Sequence, residues 1–527
     1  MKNKFLTVLV LLIVSSTSNC YAQSAYGNYY HDIDSVGNSG LAVSRLLDGK
    51  LFLLGGSTYS ISSYVRIGGI ILSPNGDSLL EYHLQNRPPA NIYSDYGTLL
   101  PQANGDIITH QNFSSPSTPA KNYKTTNASV VRFKPNGDTA WVKTYTDTNV
   151  LWQAPAGLSQ SSLDGSFVVS GLQYPAASLS SVGFLMFLDS AANIKRQMVF
   201  YNPAVSNPAL NFIQRAAFLP DGKRVLATCA ARTDYSAVGG FYSKFHPWLF
   251  ICDTQGVIQK QRILPQRYQG GGRSPFAGID RNGGYYMGGG IDSVVDRYGQ
   301  PTNDYSFPKF LMHLDTNLNT EWVYSFGDSS HGYYFQTVKQ LHNGNYLLIG
   351  SSFVDTTRGD AGWLAVVNTD GSLKWSRRYH KSTQWNHRFY DAVENADGSI
   401  TAVGSGKSDT SSPQTSYDLW VLNVDSNGCE GPGICNGSLS VEEGSPVAKE
   451  TGFKIYPNPT TGALYVESDK GGEATLYNLT GNKVWEQRII SGKTAVSLPP
   501  ALAAGIYVVR FVAADGAVFQ TRLTYNP

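Results

Sequence analysis

The 527-residue sequence predicts an all-β fold: a seven-bladed β-propeller of four-stranded blades, then a small C-terminal Ig-like β-sandwich. Three observations carry this expectation. Asp-Gly or Asn-Gly between β-forming runs recurs seven times, a second hairpin unit sits between successive copies, and the last 75 residues break into short alternating strands.

Composition agrees with that class. Charged residues make up 15% and aromatics 12%, with 53 Gly and 32 Tyr, which is unlike a disordered chain. Glycine punctuating aromatic and β-branched runs suits strands and turns. The 41 basic and 39 acidic side chains nearly cancel, so no nucleic-acid or polyanion partner is expected. A chain this long holds more than one core or a repeat.

Residues 1–22 read as a secretory signal peptide. Lys2 and Lys4 precede an apolar core from Phe5 to Val14, and Cys20-Tyr21-Ala22 ends in a small residue. Cys20 raises a lipoprotein reading, but Asn19 is a poor residue to precede a lipidated cysteine. The other cysteines are Cys229, Cys252, Cys429 and Cys435. In an exported chain the short Cys429–Cys435 loop predicts a disulfide, whereas Cys229 and Cys252 form either a bridge or two buried thiols. Zinc on four thiols lacks a paired CxxC.

Residues 23–436 hold the repeat. Its first unit is centred on Asp48-Gly49, Asn104-Gly105, Asp164-Gly165, Asp221-Gly222, Asn282-Gly283, Asn343-Gly344 and Asp397-Gly398, about 54–61 residues apart. Each dipeptide predicts a tight hairpin with positive φ at both central residues. The second unit is an apolar strand, a turn and an alternating strand that often carries Trp, as at Val130–Trp141, Phe310–Trp322 and Trp363–Trp375. Two hairpins per period make four strands. The last copy, Leu419 to Val424, lacks an outer strand, and Ala25–His31 is expected to supply it and close the ring. By their turn spacing these repeats resemble the sixty-residue propeller-like repeats of Bacteroidetes surface proteins.

Residues 437–452 form a polar linker, and residues 453–527 a second module. It opens with Tyr456-Pro457-Asn458-Pro459 and then Gly462, a rigid turn after a short strand. Near its end stands Gly505-Ile-Tyr507-Val-Val-Arg510. Together these motifs resemble the type A C-terminal sorting domain of the type IX secretion system. The resemblance implies the type IX machinery as a partner, passage across the outer membrane, and removal of the tail. It also implies release, or attachment to surface polysaccharide.

Searches for chemistry fail one by one. Gly404-Ser-Gly406-Lys407-Ser408 has Thr401 where a phosphate loop needs Gly. Asn423–Gly428 mimics half a calcium loop, but its twelfth position is Ile434. No HExxH or GxSxG occurs, and His313 and His342 fall on repeat positions. Asp292 and Asp296 read as a solvated loop rather than a glycosidase pair. No metal and no cofactor are expected.

The connectors on one face remain. They carry Trp152, Arg215, Arg273, His331, Tyr333, Tyr334, Trp385, His387, Arg388 and Tyr390, aromatic and basic groups suited to stacking on sugars or holding an acidic ligand. The sequence therefore predicts an exported propeller that binds an extracellular glycan or protein without catalysis. The alternative is a propeller hydrolase or lyase acting on polysaccharide, which needs two convergent carboxylates.

Overall fold

The computed structural model describes residues 26–430 and 453–526. Outside the described residues lie 1–25, 31–36, 59–64, 75, 84–97, 115–125, 148, 176–179, 206–209, 238–239, 265–275, 291–308, 327–331, 354–359, 381–386, 407–416, 431–452, 479–482, 500–501, 515–517 and 527. The signal peptide and linker expectations fall there, as do Arg273, His331, Trp385 and Cys435.

Every element is a strand. β1 (Tyr26–Tyr30) leads the chain. The first sheet is β2 (Gly37–Arg45), β3 (Leu51–Thr58), β4 (Val65–Leu72) and β5 (Ser78–His83). The second is β6 (Leu99–Pro101), β7 (Ile107–Ser114), β8 (Thr126–Phe133) and β9 (Thr139–Tyr145). The third is β10 (Val150–Gln160), β11 (Phe167–Pro175), β12 (Val182–Leu188) and β13 (Ile194–Phe200). The fourth is β14 (Leu210–Phe218), β15 (Arg224–Ala237), β16 (Gly240–Asp253) and β17 (Ile258–Ile263). The fifth is β18 (Phe276–Ile279), β19 (Tyr285–Gly290), β20 (Lys309–Leu314) and β21 (Thr320–Phe326). The sixth is β22 (Gly332–Gln340), β23 (Tyr346–Phe353), β24 (Asp360–Val367) and β25 (Leu373–Tyr379).

The seventh sheet contains β26 (Arg388–Glu394), β27 (Ile400–Gly406) and β28 (Asp418–Val424). Its fourth strand is β1, antiparallel to β28 from Tyr26↔Asn423 to Tyr30↔Leu419. The first strand of the chain thus covers an edge that β28 would otherwise expose.

Consecutive sheets share cores. Phe52 and Leu54 of the first sheet pack with Ile107 and Phe133 of the second. Leu364 and Trp375 of the sixth pack with Phe389 and Trp420 of the seventh. Another cluster joins Leu51 and Leu53 to Val403, Leu419 and Val421, bringing the seventh sheet back against the first. Sheets covered on both faces explain the unbroken apolar runs: all of β12, β24 and β28 is buried, whereas the outer β13 is mostly exposed.

The Asp-Gly turns differ from the expected geometry. At Leu46–Lys50 the Gly49 amide donates to the Leu46 carbonyl and the Leu46 amide to the Lys50 carbonyl. Only Gly49, at φ 84°, is left-handed. Asp48 is there for its side chain, whose Oδ1 accepts the Lys50 amide at 3.1 Å. A three-residue loop with glycine in the left-handed position gives this pattern.

The small residues ending each second strand have a packing cause. A Cβ on Gly404 would lie 1.7 Å from the carbonyl oxygen of Arg388 on the neighbouring strand. That backbone approach, beside the bulge between Phe389 and Asp391, accounts for the glycine at 404. The half calcium loop is likewise a hairpin turn, with Asp425 Oδ1 accepting the amides of Asn427 and Cys429.

Cys229 and Cys252 are two free buried thiols, which settles the open pairing. Burial pushes the Cys252 thiol up to about 12, so it stays protonated. Cys429 is disulfide-bonded, and its expected partner Cys435 lies outside the described residues.

The C-terminal module packs two sheets face to face. One holds β29 (Phe453–Tyr456), β30 (Ala463–Ser468) and β33 (Gly492–Ser497). The other holds β31 (Gly472–Tyr477), β32 (Lys483–Ile489), β34 (Gly505–Ala513) and β35 (Val518–Tyr525). Phe453, Leu464, Val466 and Val496 of the first meet Leu476, Val509, Phe511 and Tyr525 of the second. The alternation in β30 is strict, with Leu464, Val466 and Ser468 inward.

Candidate functional site

The first strands of several sheets carry buried polar side chains, among them Gln153, Gln214, Gln336 and Asp391. In five of these strands a residue is bulged out of register: Leu41, Ala156 (with Leu151 earlier in the same strand), Gln214, Gln336 and Tyr390. The residue after the bulge is Arg215 in the fourth sheet and Asp391 in the seventh. Asp391 accepts the Val43 amide at 3.1 Å and pairs with Lys339 Nζ at 2.6 Å, tying the first, sixth and seventh sheets together.

A second cluster forms where the sixth and seventh sheets meet. Asp360 opens β24 and is buried; its Oδ2 accepts Arg388 Nε and Nη2, both at 2.5 Å. The Asp360 carbonyl accepts the His387 amide at 2.8 Å. His387 is fully buried and stands edge-on to Trp420 at 4.8 Å. Burial lowers its pKa to about 4. A neutral ring in that position packs against Trp420, at the end of the connector that leads into β26.

Where the fifth and sixth sheets meet, aromatic rings close together. Phe326 stacks on Trp363 at 5.0 Å, and Tyr333 meets Trp363 edge-on at 5.0 Å. Arg378 donates to the Tyr333 hydroxyl at 2.9 Å and lies 5.8 Å from the ring centre. Lys309 opens β20 beside Phe326 and is 6% exposed.

The sequence-predicted residues therefore separate. Trp152 is half-buried on β10 and pairs with Tyr174 at 5.2 Å, and Arg215 is half-buried on β14. Arg388 is exposed and bound to Asp360. Tyr334 lies on β22 beside Tyr333. Sequence reasoning missed Lys309, Asp360, Arg378 and Asp391. The signal for Lys309 was present in the repeat. Ile67, Ala128, Gly183, Pro247, Gly362 and Leu419 occupy the same position, six residues before the turn that follows each third strand.

Two further described carboxylates of the repeat region are held by other side chains. Asp106 pairs with Arg132 at 2.6 Å, and Asp280 meets His313 at 3.2 Å and the Tyr346 hydroxyl. Where a carboxyl pKa in the described repeat region departs clearly from its ordinary value, it is lowered, as at Asp164, chiefly by the Ser166 hydroxyl. Among the described residues no three His, Cys, Asp or Glu side chains converge as a metal site requires.

In the C-terminal module the motif residues have structural partners. Tyr456 donates to Glu467 Oε2 at 2.9 Å, and buried Tyr507 donates to the Ala503 carbonyl at 2.6 Å. Asn458 Oδ1 accepts the Thr524 amide at 2.9 Å, and Gly462 turns with φ 124° beside Tyr525. The turn after Pro457 and Pro459 is held to the last strand by Thr460, which donates to the Thr524 carbonyl and accepts from the Asn526 amide, both at 2.9 Å. Gly505 begins β34, and Arg510 lies between Thr475 and Gln520 on the face opposite Val509 and Phe511.

These features define an exported all-β protein with a propeller-like body and a sorting tail. Residues 454–523 match the secretion system C-terminal sorting domain family. The tail interacts with the type IX machinery and directs the chain to the cell surface or the medium. No curated protein matches the chain. Among solved structures, Trypanosoma rangeli sialidase is similar at 7% identity, covering 96% of this chain and 88% of its own, with a TM-score of 0.38. The Fusarium graminearum α-L-arabinofuranosidase Arb93A is similar at 10% identity, with 77% and 98% covered and a TM-score of 0.37. Chaetomium thermophilum Raptor is similar at 8% identity and a TM-score of 0.42 over 75% of this chain, which spans 29% of Raptor.

Proposed function

We propose that this chain is a seven-bladed β-propeller, residues 23–436, exported by the type IX system to bind an extracellular glycan or protein without turning it over. A signal peptide at 1–22, a linker at 437–452 and an Ig-like sorting domain at 453–527 complete the organisation. Seven four-stranded sheets with consecutive shared cores, the seventh against the first, support the blade count. The observation that carries the binding reading is the commitment of buried carboxylates. Asp360 is held in an ion pair by Arg388 and Asp391 by Lys339, so neither stands free beside the other as the carboxylate pair of glycoside cleavage requires.

A glycan and protein array probed with the chain from residue 23, with hydrolysis followed in parallel, tests this. Specific retention without product formation is expected. Turnover abolished by a single Asp or Glu substitution would establish the hydrolase or lyase instead.

A further inference from the structure

The outer face of the larger sheet in the C-terminal module is hollowed. A groove of about 790 Å³ crosses β31, β32 and β34, with Glu473, Thr475, Lys483, Glu486, Arg488 and Arg510 in its lining. It follows β31 from Gly472 to Tyr477, about 17 Å at roughly 3.3 Å per residue, the length of a short extended peptide. Cross-strand register places its charges. Arg510 stands opposite Thr475 on one side and Gln520 on the other, and Arg488 stands opposite Glu473. The acidic groups are engaged with their neighbours. Glu486 accepts Lys483 Nζ at 3.0 Å, and Glu473 shares a hydrogen bond with Glu486 that raises its pKa. Neither Arg488 nor Arg510 has an ion-pair or hydrogen-bond partner among the described residues.

The fold accounts for the neighbours of Arg510 in the closing motif. Tyr507 is buried and donates to the Ala503 carbonyl, and Val509 lies in the core between the two sheets. It does not account for Arg510, which is half-buried in the groove with its guanidinium uncommitted. A guanidinium in such a place suits a carboxylate, which it can hold through two parallel hydrogen bonds. We propose that this groove is the surface by which the type IX machinery holds the tail, with Arg510 and Arg488 gripping the carboxylates of an extended acidic segment of that machinery. The assignment rests on the sorting role of the tail and names the surface and the chemistry through which the tail is recognised.

The test uses the full chain in cells that carry the machinery. Reversing both charges, Arg488→Glu with Arg510→Glu, should lower the protein on the surface and in the medium by about tenfold or more, the effect of losing hydrogen bonds to charged groups. Arg488→Lys with Arg510→Lys keeps the charges and should retain most export. Lys454→Glu reverses an exposed charge on the other sheet and should leave export unchanged. Protease resistance of the tail reports folding, and Arg510→Gln alone carries the comparison if the double reversal is digested. A photo-crosslinking phenylalanine analogue at Tyr477, within the groove, should trap a component of the machinery. Normal export of the folded charge variants, an equal loss with Lys454→Glu, or a crosslink to a second copy of this chain overturns the groove assignment and leaves the sorting role standing. Normal export of a chain lacking residues 453–527 overturns both.

Discussion

Trp375 Nε1 donates to the carbonyl oxygen of Ser426 at 3.1 Å, so the outer strand of the sixth sheet hangs on a turn of the seventh. The same hook recurs one sheet earlier, from Trp322 to the Thr369 carbonyl at 3.1 Å. In the fourth sheet Lys260 takes that position and donates to the Thr316 carbonyl of the fifth at 2.9 Å. The recurrent Trp of the second hairpin is therefore a fastener between sheets.

That hook predicts an order of damage. Trp375→Phe keeps the ring and loses one hydrogen bond, a cost of about 1 kcal/mol. Gly428→Ala should cost about 2–4 kcal/mol, because strain and overpacking add. Gly428 sits at φ 75°, and a Cβ there would lie 2.8 Å from Arg377 Cδ and 2.9 Å from Trp375. Urea unfolding ranks the two; an alanine variant no worse than the phenylalanine one would show that the turn yields freely.

His110 predicts an acid-sensitive core. It is fully buried, neither ring nitrogen has a hydrogen-bond partner, and its repeat equivalents include Leu54, Ile349 and Val403. Burial, with Arg215 adding to it, lowers its pKa to about 3. The folded state then binds fewer protons than the unfolded state between pH 3 and 6.5. Stability is full above pH 6.5 and falls as pH drops through that window, by about 2–3 kcal/mol at pH 4.5. His110→Leu should flatten the fall and raise stability at pH 7 by about 1–3 kcal/mol, the usual cost of unsatisfied polar atoms. Unfolding midpoints at pH 4.5 and 7.5 decide it.

The repeat was legible because turn chemistry is local. Each Asp-Gly or Asn-Gly marks where one chain reversal must fall, and the missing outer strand of the last copy pointed to Tyr26–Tyr30. The site was less legible, because its partners meet across sheets. Asp360 finds Arg388 only when the sixth and seventh sheets pack, and no spacing encodes that distance. The contact of His387 with Trp420 was illegible for the same reason, since the two stand far apart in sequence. Lys309 was readable in retrospect, as the one charge in an otherwise uncharged column of the repeat.

Lys309 also predicts stability that rises with alkalinity. Its folded pKa is about 8, and an unfolded lysine titrates near 10.4. Between those values the unfolded state binds more protons, so stability increases as pH rises, by about 3 kcal/mol at most. Lys309→Met should lose this slope. Parallel slopes in the two proteins from pH 8 to 10 would place the lysine charge in water.

The sorting tail makes the last prediction. Deleting residues 453–527 should leave a folded propeller in the periplasm, since the two modules have separate cores. A subtler change should do the same. Tyr525 belongs to the core of the tail, and Thr524 and Asn526 hold the turn that carries Asn458 and Thr460. Removing residues 524–527 therefore takes away a buried ring and three hydrogen bonds to that turn. Burial of one aromatic side chain is worth about 1.5–3 kcal/mol and each bond about 1, a large share of what a 75-residue domain possesses. Asn458→Ala removes only one of those bonds and should reduce export partially. Immunoblots of periplasm, cell surface and medium give the distribution. Normal export after loss of residues 453–527 would remove the sorting role. Normal export after loss of 524–527 alone would mean that the machinery reads the Tyr-Pro-Asn-Pro turn without its lock to the last strand.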